Sequence, residues 1–186
     1  MFHANTQRLI DDWRQKRGDR HAPLRADLSP MAFGSLLPQL FMLGSEDGTE
    51  RFRLSGGLLS DLHGGDLRGQ DFRSLWSPLD GLQVTTALSA ARRAGEPVVI
   101  DAGAFTAEGD ETRLEILLAP LTGPSEALDR TLGLYQPTSS LSRLLGRKIT
   151  CLAFRGATVA SFDRFGGVAG GRPAVKLITL DGRRVA

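Results

Sequence analysis

Residues 77–121 read SPLDGLQVTTALSAARRAGEPVVIDAGAFTAEGDETRLEILLAPL, and the order of signals in this stretch decides the fold. Ser77 as a cap, Pro78 at the first helical position and Asp80 in the first turn open a helix. It carries Leu82, Leu88 and Ala91 and is stopped by Gly95 and Pro97, so the spacing predicts one long helix over 78–94. Two strand-like runs follow, joined by Glu108, Gly109 and Asp110. In the second, Glu111, Arg113 and Glu115 alternate with Thr112, Leu114 and Ile116, the period of a hairpin with one polar side.

Upstream, LPQLFMLGS from Leu37 is an apolar run, Asp47 and Gly48 centre a turn, and RFRLSG sets Arg51 and Arg53 against Phe52 and Leu54. This predicts a second hairpin. The intervening GGLLSDLHGGDLRGQDFRSLW is too broken by glycine for a strand and reads as short helical turns, with Leu58, Leu59 and Leu62 inward. Downstream, the polar loop GPSEALDR leads to a short strand, TLGLYQP, where the compact domain is expected to end. At the N-terminus, residues Asn5 to Arg17 place Leu9, Ile10 and Trp13 on one side of a helix that Gly18 stops, and DRHAPLRADLSP reads as an extended connection. Beyond residue 136, SSLSRLLGR reads as helical turns, KITCLAF and AVKLITLDG as further short strands, and RFGGVAGGRP as a glycine-rich link. The expected organisation is an N-terminal helix with its connection (1–36), a main domain (37–136) and a basic C-terminal extension (137–186).

Composition supports one core: 186 residues, of which 41% are hydrophobic and 24% charged. No apolar run approaches the roughly 20 residues of a membrane-spanning helix. The charged N-terminus lacks the apolar stretch of a secretory signal, so the expected location is the cytoplasm, without membrane insertion. Cys151 is the sole cysteine, which leaves no intrachain disulfide and no cysteine-built zinc site. Residues 147–186 hold eight basic and two acidic side chains, a net of +6, whereas residues 1–146 hold 15 and 19, a net of −4.

Consecutive strands with hairpin-length links favour an α+β architecture with an antiparallel sheet and helices crossing one face. The pieces that make this order also resemble a known family, the PAS-like proteins of alphaproteobacteria formerly grouped as a domain of unknown function. The resemblance rests on Trp13, on Pro23, Arg25, Asp27 and Pro30, and on LLPQLFML, FRLSGGLL, LRGQDFRSLW, LEILLAPLTG and TLGLY, over roughly residues 13 to 136. The stretch after Gly57 departs from the family pattern, with Asp61, His63 and two adjacent glycines in place of a regular short helix. The resemblance implies a five-stranded antiparallel PAS sheet and a sensory or regulatory role through contact with a signalling protein. It also implies a homodimer through flanking helices and carries over no catalytic residues. If a small ligand binds, Leu59, Leu62, His63 and Trp76 are the residues expected to line its pocket between helices and sheet.

The sequence carries few residues arranged for chemistry. His63 stands in a segment that lines the cavity of many PAS domains, where an imidazole can bond a ligand or ligate haem, but a partly exposed turn is the blander account. Haem-binding relatives take their ligand from the long helix, and residues 78–94 contain no histidine. Flavin photochemistry of the LOV type needs an Asn-Cys-Arg motif ahead of the long helix, whereas Cys151 is in the tail. No G-x-S-x-G occurs, Ser55 and Ser60 lack the nucleophile's sharp turn, and GGVAGG has no flanking strand and helix to cradle phosphate. The acid pairs Asp11 with Asp12 and Glu108 with Asp110 fall on a helix face and a turn. No catalytic residue, metal site or cofactor is therefore expected. Arg143, Arg147 and Lys148 resemble only loosely an arginine pair for cyclic dinucleotides, without the matching motif at Asp163. The alternative function is binding of nucleic acid or an anionic surface through the basic tail, which lacks interleaved aromatics apart from Phe154, Phe162 and Phe165.

Overall fold

The computed structural model describes residues 1–160 apart from 125 and 145. The link at 164–173 and the strand-like run at 174–182 lie outside the described residues. The helices are α1 (Ala4–Arg17), α2 (Gly57–His63) and α3 (Pro78–Ala94). The strands are β1 (Leu40–Glu46), β2 (Thr49–Ser55), β3 (Val98–Thr106), β4 (Glu111–Leu121), β5 (Arg130–Pro137) and β6 (Ile149–Val159).

The six strands form one sheet in the order β2-β1-β5-β4-β3-β6, every pair antiparallel. The α+β antiparallel expectation holds, but the expected five strands are six. The sixth comes from the segment read as an extension: β6 pairs with β3 from Ile149 against Thr106 to Val159 against Val98. Physically, β3 places Ile100, Ala102 and Ala104 fully out of water, and an added strand covers the side that five strands would leave open. A register shift at Arg155 lets the alternation of KITCLAF resume through GATV.

The sheet is covered on both faces. On one, α2 and α3 cover Ile100, Leu114, Ile116, Leu118 and Tyr135; on the other, α1 and residues 30–39 cover Val99, Leu117, Ala119, Leu121, Leu132 and Leu134. Two buried faces explain why β4 from residue 116 onward and β5 read as near-continuous apolar runs, while the first half of β4 alternates. Helix α3 has the predicted bounds, with Ser77 Oγ accepting from the Asp80 amide and Gly95 left-handed at its end.

The stripe of Leu9, Ile10 and Trp13 is buried on this chain's own sheet, where Trp13 Nε1 donates to the Pro120 carbonyl at 2.8 Å. His3, which a frayed terminus would leave loose, instead caps α1 through Nδ1, and its amide donates to the Glu115 carboxylate. The connection is not extended throughout: residues Arg25–Asp27 and Pro30–Gln39 form 3-10 turns, and β1 starts at Leu40. Pro38, with no amide to give a ladder, keeps the LPQ part of the apolar run out of the strand. Among the described residues no helix is long and apolar enough to cross a membrane.

Candidate functional site

The four residues singled out as a pocket lining fall on or beside α2 and the turn Phe72–Leu75. Helix α2 starts where it does because Gly56 comes so close to the carbonyls of Leu37 and Pro38 that a Cβ would lie 2.3 Å from the Pro38 oxygen. Its first turns aim Leu59 and Leu62 into the core, and Gly64 ends it in the left-handed conformation. Trp76 follows the 3-10 turn and is also buried, in the same cluster as Leu59 and Leu62. His63 joins them through Tyr135: its Nε2 lies 3.2 Å from the Tyr135 hydroxyl, with the rings edge-on at 5.7 Å.

Aromatic side chains from β1, β2 and the Phe72–Leu75 turn pack together in this cluster. Phe41, Phe52 and Phe72 meet pairwise at ring centroid distances of 5.5 to 5.7 Å, and Trp76 stands edge-on to Phe72 at 5.9 Å. Phe41 can lie across β5 because Gly133 has no side chain; a Cβ there would come 2.0 Å from the ring. Surface hollows occur on the other face, one beside Leu9, Phe33 and Leu36 and one beside Arg25, Met42 and Leu54.

Electrostatics in this interior are sparse. Burial drives the His63 imidazole down from 6.5 to about 4, against the opposing effect of a hydrogen bond to the Ile149 backbone, so the ring is neutral near pH 7. Burial likewise raises the Tyr135 phenol. Trp76 Nε1 is buried without a hydrogen-bond partner among the described residues. At the far end of α3, Arg92 forms a bidentate pair with Glu50 of β2 at 2.5 and 2.7 Å and bonds Thr131 of β5.

Among the described residues no three His, Cys, Asp or Glu side chains gather to hold a metal. Cys151 is half-buried on β6, remote in sequence from the turn before α3. Of the tail cations, Arg147 pairs with Asp110 and Arg155 with Glu111. Tyr135, Phe41, Phe52 and Phe72 escaped the sequence reading of this site, although the apolar run TLGLYQP and the alternation of RFRLSG place Tyr135 and Phe52 on buried positions.

Among curated proteins, none matches the chain. Solved structures with similar folds include the LOV protein of Rhodobacter sphaeroides, at 16% identity and a TM-score of 0.45 over 56% of this chain and 61% of that one. The Aureochrome1 LOV domain of a blue-light photoreceptor shows 11% identity and a TM-score of 0.46, covering 62% and 86%. An RNA-binding light-oxygen-voltage receptor shows 14% identity and a TM-score of 0.45, covering 66% and 35%. The chain thus spans less than two thirds of the first of these. A sequence model described as PAS_5, PAS domain, matches residues 1–136, the greater part of the molecule, and with the antiparallel sheet and its helices in place the chain belongs to the PAS domain family.

Proposed function

We propose that this chain is a non-catalytic regulatory module of the cytoplasm that acts by contact with a signalling protein and carries no resident haem or flavin. The PAS fold itself is that of sensory and regulatory modules. The observation that carries the finer reading is the interior: Phe41, Phe52, Phe72 and Trp76 occupy the space between α2, α3 and the sheet, leaving the surface as the route of output. A small ligand enters this reading only by displacing those rings, and the unpaired Trp76 Nε1 is the donor that would greet it, beside Leu59, Leu62 and His63.

The alternative, nucleic-acid binding through the basic tail, draws on the net charge of +6 over residues 147–186. Against it, two of those cations already neutralise Asp110 and Glu111 of the domain.

The test has two arms on the full chain as purified from its source. Its absorption spectrum is expected to show no haem or flavin band; a Soret band that vanishes in His63→Ala would overturn the cofactor-free reading. Cross-linking in intact cells is expected to join the chain to a signalling protein. Recovery of nucleic acid alone, in complexes that dissolve steeply with salt, would replace it with the alternative.

A further inference from the structure

The two edges of the sheet are treated differently. The middle of the β2 edge is covered by this chain: the Phe52 amide donates to the Gln70 carbonyl at 3.1 Å, the Gly69 amide to the Phe52 carbonyl at 2.8 Å, and Arg51 bridges to Asp71. Among the described residues, the β6 edge is met only near its start, where the Ser77 amide donates to the Leu152 carbonyl at 3.3 Å.

The direction of the remaining β6 groups follows from a bond at each end. The Ala160 amide donates to the Pro97 carbonyl at 2.8 Å, so Ala160, Thr158 and Gly156 face β3, and Val159 and Ala157 face away from it. The shift at Arg155 resets the alternation, so that Phe154 faces outward together with Leu152. The outward backbone groups of Phe154, Ala157 and Val159 have no partner among the described residues. Natural edge strands are guarded by lysine, proline, brevity, bulges or a covering segment, and of these β6 has a bulge at Arg155. This strand is 11 residues long, contains neither lysine nor proline, and carries one charge, Arg155, already paired with Glu111. Phe154, Ala157 and Val159 are also only partly buried against the core.

We infer that the open side of β6 is an interface on which a second copy of this chain adds its own β6, antiparallel across a two-fold axis. An antiparallel edge is its own hydrogen-bonding complement. The charges suit it: an axis through Ala157 sets each Arg155 opposite Val159, so the two arginines do not face each other. Closure favours it too. With the middle of the β2 edge covered, β6 is the longer stretch of open edge among the described residues, and two-fold pairing through it closes at two copies, as a head-to-tail contact would not. The inference stands independently of the regulatory role proposed above.

The test is light scattering on the full chain over a range of concentrations. A mass of twice 20.1 kDa is expected, and a monomer at every concentration overturns the interface. Ala157→Pro removes an outward amide and leaves the β3 ladder intact. Its mass is expected to fall by half with circular dichroism and unfolding midpoint retained, and a surviving dimer overturns the inference. Should that variant not fold, residue-resolved amide exchange on the unaltered chain decides. Exchange at Phe154, Ala157 and Val159 is expected to slow as concentration rises. Rates independent of concentration overturn the interface, whether fast, as for a bare edge, or slow, as for an edge covered by another segment of the same chain.

Discussion

His63 rests its ring on the Tyr135 hydroxyl with its imidazole pushed down to about 4 by burial. The unfolded chain, with the ordinary value of 6.5, therefore takes up a proton before the folded one does. Stability is full above pH 6.5, falls as pH drops from 6.5 towards 4, and changes no further on this account below that. The loss amounts to about 3 kcal/mol in all, since each decade of pH between the two values carries about 1.4. Urea midpoints at neutral pH and at about pH 4.5 are expected to separate more for the natural chain than for His63→Gln, by roughly 2 kcal/mol. Equal separations would show that His63 titrates in both states alike. Sequence reading reached His63 by its residue type and segment but not its partner, because Tyr135 lies 72 residues away and no local period reports a contact of that span.

At the scale of elements, α3 and both hairpins were legible because caps, stops and alternation are local signals, and their bounds follow from Ser77, Gly95, Asp47 with Gly48, and Gly109. The run that became β6 was legible as a strand but not as a member of this sheet. Its place is set by the exposed flank of β3, which no neighbouring residue announces. The 3-10 path of Pro30–Gln39 was missed for a related reason: its turns are held by Gly34 at φ 50° and by packing on the sheet, not by a periodic face. A chain ended at residue 136 loses the buried Ile149 and Leu152 and bares the β3 edge. Removing each large core side chain costs about 2–5 kcal/mol, enough together to exhaust an ordinary domain's margin. Such a chain is expected to be insoluble or to bind a hydrophobic dye. A soluble 1–136 fragment with a sharp unfolding transition would show that β6 is dispensable.

Over the whole molecule, helices on both faces make the sheet a shared wall between two apolar layers. The homodimer implied by the family resemblance drew on α1 having an apolar stripe to cover, and that stripe is seated on the chain's own sheet, with Trp13 bonded to Pro120. Removing residues 1–17 would uncover Val99, Leu117, Ala119 and Leu121 on the outer face. At about 25 cal/mol per Å² of apolar surface, loss of a buried tryptophan, leucine and isoleucine removes several kcal/mol. The shortened chain is expected to unfold at a markedly lower temperature and to aggregate at rest. An unchanged midpoint in scanning calorimetry would show that α1 merely lies on the sheet. Ion pairs stitch the layers at their rim: Arg17 of α1 reaches Glu96 beyond α3 at 2.7 Å, and Arg92 ties α3 to β2 and β5.

The Phe41 ring lying on Gly133 gives this fold an evolutionary hinge. The two positions are locked into a size trade: any side chain at 133 must evict the ring, while a small residue at 41 leaves a chamber the shape of a phenyl group over bare strand. A substitution that shortens position 41 leaves an apolar void in a single step. One that enlarges position 133 must first lose the plug. The size of the side chain at 41 thus decides whether this part of the sheet is sealed or hollow, and position 133 can grow only after 41 has shrunk.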